Sequence, residues 1–190
     1  MTRSRGRSIG GDTHTEDPIS HSPLGLPELE LEPGDHVCAI YRGVPERDDV
    51  LTPYIRAGID AGDKCLAVVD ATEPESLLQS LSHGIDVESC VASTQLEVFS
   101  SDDTYLRTGS FASDEMLGFW DAYVGAVVRD DRFSFVRIAG EATWALRDPP
   151  TVDELMRYES ELNRFAGRYP QAVLCLYDLD RFGAGISSIS

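Results

Sequence analysis

The residues that could do chemistry here are the charged and polar groups set inside apolar runs. In FSFVRIAGEATWAL, residues 133–146, Arg137 lies within a strand-like run, and Glu141 and Trp144 follow it. A charge in a core strand is costly unless it is paired or put to use. Alternation puts Phe133, Phe135 and Arg137 on one face, with Arg137 close to the carboxyl end and Glu141 beyond a turn at Gly140. Two readings stand. One is an Arg137–Glu141 pair that ties loop to strand. The other is a polar anchor in a pocket walled by Trp144, Tyr105 and Tyr177, because small-molecule pockets are mostly apolar and aromatic with a few placed polar groups. A second group is His36 and Cys38 in DHVCAIY, which share a strand face. Meeting Cys175 or a carboxylate, they would make a mononuclear metal site. No standard ligand spacing is present, so no metal and no other cofactor is expected. The plainer reading of His36 is a polar residue at a strand start, bonded to backbone.

Other chemistries lack their residues. After the first apolar run the chain reads YRGVPERDD, with no GxxxxGK[ST], no lysine, and acids where phosphates would sit. There is no GxSxG elbow, and His36 and His83 have no evident partners for nucleophilic catalysis. With 33 acidic against 16 basic residues, a net charge of −17, direct nucleic-acid binding and anionic membrane are excluded as expectations. No apolar run is long enough for a bilayer, and MTRSRGRSIGG has no apolar core of a secretory signal, which implies a cytoplasmic protein. Cys38, Cys65, Cys90 and Cys175 have no CxxC spacing and read as reduced, buried small hydrophobes.

These residues need elements to hold them. Residues 1–30 are rich in Ser, Gly, Pro, Thr and His and predict a disordered tail. Strands are expected at 35–41, 64–70, 96–99, 133–140 and 172–180. Helices are expected at 45–62, where Pro53 bends or delays the start, from Thr72 to Gly84 with a Thr72–Glu75 capping box, from Ser113 as N-cap, and at 151–170 with a Thr151–Glu154 box. Alternating strands and helices, with strands apolar on both faces, give an α/β three-layer sandwich around a mainly parallel sheet of five or more strands. Ligands on such sheets sit at the carboxyl ends of strands. Those ends carry Tyr41, Asp70, Glu141, Trp144, Tyr177 and Asp178.

In order along the chain, GDHVCAIYRG, AGDKCLAVVD, TYLRTGSF, VRIAGEATWAL, RYESELNRF and VLCLYDLDRF resemble the MEDS domain, the sensory domain of methanogen and methylotroph regulators, the regulator of dichloromethane dehalogenation among them. The resemblance spans roughly residues 33–183. It implies a RecA-like sheet without a phosphate loop and a non-enzymatic sensor of simple hydrocarbon derivatives. Its typical positions fall on His36, Tyr105, Arg137, Glu141, Trp144, Glu159, Asn163, Cys175, Tyr177 and Asp178. The expected organisation is a sensory domain at 31–183 and a short tail at 184–190. With no further domain after Phe182, output is expected to pass through a regulatory protein partner such as a kinase or an anti-sigma factor. A ligand-free interaction module is the alternative.

Overall fold

The structure, a computed structural model, describes residues 22–23, 30–147, 150 and 152–186. The tail expected at 1–30 and Thr151 of the second capping box lie almost wholly outside these residues. Five strands form the main sheet: β1 (His36–Tyr41), β2 (Lys64–Val69), β3 (Leu96–Ser100), β4 (Val136–Glu141) and β5 (Gln171–Asp178). Every pairing is parallel, in the order β1-β5-β4-β2-β3. The helices are α1 (Gly43–Ala61), α2 (Pro74–Leu81), α3 (Val87–Ala92), α4 (Ser113–Arg129), α5 (Val152–Ala166) and α6 (Leu179–Ile186), with a 3-10 turn at Thr143–Leu146. Ser22–Pro23 and Glu30–Leu31 pair antiparallel as a separate ribbon.

Strand parity sorts the core into two layers. Cys65, Ala67, Val69, Ala139, Leu174 and Leu176 pack against Leu51, Tyr54 and Ile55 of α1, and against α2 and α3. Leu66, Val68, Val136, Ile138, Val173 and Cys175 pack against Met116, Trp120 and Val124 of α4 and Tyr158, Leu162 and Phe165 of α5. All six residues of β2 and of β4 are buried, as in strands covered on both faces. The three-layer α/β sandwich read from the sequence is therefore the fold.

Several local expectations are corrected. α1 starts at Gly43 and runs through Pro53. α2 starts at Pro74, whose missing N–H suits a first turn, and Thr72 instead accepts from Arg47 Nη1 at 2.9 Å. α4 takes Ala112 as N-cap, and the Ser113 hydroxyl is buried without a partner. Short α3, capped by Asp86 on the Ser89 N–H, and α6 were not anticipated. β4 begins at Val136, three residues later than expected, so Arg137 stands near its amino end and Glu141 ends the strand.

Candidate functional site

Connections through α1 and α2–α3 run on one face toward β3, whereas α4 and α5 return on the other. The two directions part between β2 and β4, and the crevice at their carboxyl ends is the switch point where open α/β sheets place ligands. Glu141 fills it. Its carboxylate is fully buried and accepts from Arg47 Nη1 at 2.9 Å, Tyr41 OH at 3.4 Å, the Ala71 N–H at 2.7 Å and the Asp70 N–H. Asp70 in turn accepts from Thr143 Oγ1 at 2.7 Å and the Ser101 hydroxyl and pairs with Arg147 at 2.7 Å. Burial first, then the Glu141 charge, pushes the Tyr41 hydroxyl well above its usual pKa. Carboxylates of the chain itself also cap α1. Glu46 takes the Arg42 N–H at 2.7 Å and Asp178 the Gly43 N–H at 3.4 Å. An N-terminus already capped this way repels a phosphate rather than cradling it.

Arg137 and Glu141 do not pair, which overturns the expected loop tie. They share a face but stand at opposite ends of β4, four residues or about 13 Å apart at strand rise. Arg137 Nε donates to Asp63 Oδ2 at 2.8 Å and Nη1 to the Tyr54 carbonyl at 3.3 Å, with the guanidinium 5.3 Å from the Tyr54 ring centre. Arg137 therefore anchors no pocket with Trp144, Tyr105 or Tyr177, since those rings pack in the core layer on the opposite face of the sheet.

On that opposite face the aromatic residues make a box. Tyr105 stacks on Trp144 at 4.7 Å and meets Trp120 and Tyr158 edge-on at 6.3 and 6.5 Å. Tyr105, Trp120 and Tyr158 line a cavity of about 10 Å³, room for a single water, together with Ile138, Gly140, Phe165 and Cys175, while Trp144 backs the Tyr105 ring. The Tyr158 hydroxyl is buried there near the polar atoms of Tyr105 and Trp120 but in hydrogen-bond geometry with neither. Gly140 admits the Tyr105 hydroxyl, which lies 2.6 Å from where a Cβ would stand. Gly140→Ala is therefore expected to cost about 1–3 kcal/mol by overpacking and to displace the Tyr105 ring, read as a loss of urea stability and a change in the near-ultraviolet circular dichroism of the box. Trp120 and Tyr158 line this cavity, although the sequence reading singled out neither as a candidate. The signal for Tyr158 is a hydroxyl at an inward stripe position.

Cys175 lines this cavity and also meets a polar cluster at the edge strand β1. In register, Cys38 lies beside Cys175. His36 Nδ1 donates to Asn163 Oδ1 at 2.9 Å, which leaves Nε2 to accept from the Cys175 thiol at 3.1 Å. Glu159 Oε2 lies 3.4 Å from Nε2, and its Oε1 accepts from Tyr177 OH. His36 thus bonds side chains of α5 and β5, not backbone as expected. Burial, and then the Glu159 charge, raise the Cys38 and Cys175 thiols above their usual pKa. Burial and the Glu159 hydrogen bond do the same for Tyr177. Cys38 is exposed, contrary to its expected burial, and all four cysteines are free.

The candidate residues thus divide three ways. Tyr41, Glu141 and Asp178 belong to the crevice, Arg137 stands apart near the amino end of β4, and Tyr105, Trp144, His36, Glu159, Cys175 and Tyr177 gather on the α4–α5 side. A more spacious groove of about 480 Å³ opens at the amino ends of the strands, beside Lys64 and Phe133. Its charged groups already satisfy one another, since Lys64 and the Tyr123 hydroxyl both bond Glu97. No helix of the described residues is long and apolar enough to cross a membrane.

Comparison with known proteins agrees with the fold. The chain is 29% identical over 160 residues to the transcriptional repressor DcmR of Methylorubrum extorquens, an alignment covering 82% of this chain and 56% of the repressor. The chain thus spans about half the length of that relative. Among solved structures, a KaiC-like protein of the hyperthermophilic archaeon Pyrococcus horikoshii matches with a TM-score of 0.55 and 13% identity, covering 84% of this chain and 70% of that one, which shows a shared RecA-like fold. The profile of the methanogen/methylotroph, DcmR sensory domain matches residues 35–188. Across nearly all of its described length, the chain belongs to the MEDS family of sensory domains.

Proposed function

We propose that this chain is a non-enzymatic sensor that takes a small, largely apolar organic molecule with one polar group into the aromatic box, and reports it to a regulatory protein partner. The observation that carries this reading is a Tyr158 hydroxyl without a hydrogen-bond partner beside a void lined mainly by apolar and aromatic side chains. A buried hydroxyl without a partner costs about 1–3 kcal/mol. A ligand that offers a lone pair or a proton there recovers that cost and buries its own apolar surface. The void has room for about one water, so a larger guest must push Tyr105, and Trp144 stacked on it, outward. Trp144 sits in the turn that follows Glu141, and that turn packs on α6, where Leu146 and Leu179 are exposed. Filling the box would therefore move a surface that a partner can read. The repressor relative supports transcription control as the setting.

Trp120 and Trp144, the two tryptophans of the sequence, both belong to the box. Titration with short alcohols and haloalkanes is expected to change tryptophan fluorescence saturably. Ligand at 100 times its Kd should add about 2.7 kcal/mol of stability. Tyr158→Phe is expected to weaken alcohols about tenfold while leaving haloalkane binding nearly unchanged, because it removes the group that pairs with the alcohol. Linear, unsaturable fluorescence changes with every probe would defeat the proposal.

A further inference from the structure

We propose that His36, Cys38 and Glu159, with Cys175 as fourth donor, bind one divalent cation of zinc-like chemistry at the β1 edge of the sheet. The nitrogen, sulfur and oxygen donors of the first three lie within 4.8 Å of one another; Cys175 Sγ, 3.1 Å from His36 Nε2, lies outside that mutual spacing and completes the set only when the donors close around an ion. The site does not depend on the aromatic box taking a ligand.

Three features go beyond proximity. First, the amide oxygen of Asn163 can only accept, so the proton of a neutral His36 sits on Nδ1 and the lone pair of Nε2 points into the cluster. Histidines that ligate metals are oriented in this way by a carbonyl or carboxylate on the other ring nitrogen. Second, the Glu159 carboxylate lies 3.4 Å from the same Nε2 that the Cys175 thiol approaches at 3.1 Å, so three donor atoms converge on one point. Two acceptors repel at this range unless an electrophile lies between them, either a proton or a metal. Third, the donors are mixed N, S and O on rigid elements, two from β1, one from β5 and one from α5. Borderline zinc accepts that mixture, whereas calcium and magnesium want oxygen alone. A tetrahedral ion with bonds of about 2.0–2.3 Å would draw its donors to separations of roughly 3.3–3.8 Å. The exposed Cys38 thiol and the half-buried Glu159 carboxylate can close that gap by rotating side chains. The bound cation would release the thiol protons that Glu159 otherwise helps to retain, so metal uptake frees protons to solvent.

The test uses the full chain stripped with a chelator and titrated with Co²⁺. One equivalent is expected to produce the visible absorption of tetrahedral cobalt and a near-ultraviolet thiolate-to-metal charge-transfer band, both removed by one equivalent of Zn²⁺. Cys38→Ser should lose about half of the charge-transfer intensity, one of two thiolates being gone. Asn163→Ala should weaken binding by about 10–100-fold while the band shape survives, the mark of a positioning residue. Cys90→Ser, a thiol on α3 across the sheet, should change neither. Cys38 is exposed, so its variant is expected to fold, with circular dichroism as the check. Absence of a thiolate band at one equivalent would overturn the site. An affinity unchanged by His36→Gln would overturn it too.

Discussion

Glu141→Ala is expected to lower the unfolding free energy by about 3–5 kcal/mol, the usual cost of stranding one half of a buried ion pair. Arg47, 1% exposed, would keep Asp48 but lose its fully buried carboxylate partner. The N–H groups of Asp70 and Ala71 would lose their acceptor as well. Urea unfolding gives the number, with an unchanged m-value as evidence that the same surface is exposed. Glu141→Gln should fall between, because an amide oxygen still accepts from the backbone but carries no charge for Arg47. The double variant Arg47→Met/Glu141→Leu should cost less than the two single losses added, since neither charge is left buried alone. It should not return to the parent stability, because the two orphaned N–H groups remain, at about 1–3 kcal/mol each. A loss below about 1 kcal/mol for Glu141→Ala would mean that water or another side chain reaches the crevice. It would also reopen the crevice as a place for ligands, which a carboxylate with every lone pair engaged now closes.

The layer architecture was legible in the sequence because central parallel strands must be apolar on both faces, and β2, β4 and β5 are. The His36–Cys38 face was legible too, since strand parity is a two-residue rule. What could not be read was which layer each strand residue joins and how strands are ordered. Arg137 and Glu141 looked like partners because Arg137 was placed near the carboxyl end of the strand, with a turn at Gly140 bringing Glu141 back to it. In the strand their four-residue spacing puts them on one face at opposite ends, and their actual partners, Asp63 and Arg47, come from the loop before β2 and from α1. The start of β4 decided the matter. Counting Phe133 to Phe135 into the strand moved Arg137 to the wrong end. Likewise, the meeting of His36 with Cys175, Asn163 and Glu159 follows from β5 pairing with β1, a contact across more than 120 residues that no local pattern announces. Thr72 and Ser113 failed as helix caps for a related reason. A buried arginine claimed the first, and the second sits inside the helix it was expected to precede.

Arg137→Ala is the second large effect expected, again about 3–5 kcal/mol, and its cause is a different pair. The guanidinium is fully buried, and Asp63, 4% exposed, would lose the cation that neutralises it. Arg137→Lys is not expected to rescue. An ammonium lacks the planar fork that here serves Asp63 and the Tyr54 carbonyl together, and it stacks less well on the Tyr54 ring. The neighbouring glycine separates packing from charge. A Cβ on Gly58 would lie 2.6 Å from Arg137 Cδ and 2.6 Å from Cys65 Sγ, so α1 approaches the sheet only because that residue has no side chain. Gly58→Ala alone is therefore expected to destabilise by about 1–3 kcal/mol through overpacking, despite alanine's better helix propensity. In the Arg137→Ala background one of the two clashes is gone, and the same substitution should cost less. Thermal and urea unfolding of the four proteins in this cycle measure the coupling. Coupling of about 1 kcal/mol or more would establish that the arginine is a structural strut wedged between α1 and β4. Strict additivity would mean that α1 shifts to accommodate either change. A strut at this end of β4 stands apart from the opposite face of the sheet, where the Tyr158 hydroxyl and the His36 cluster lie.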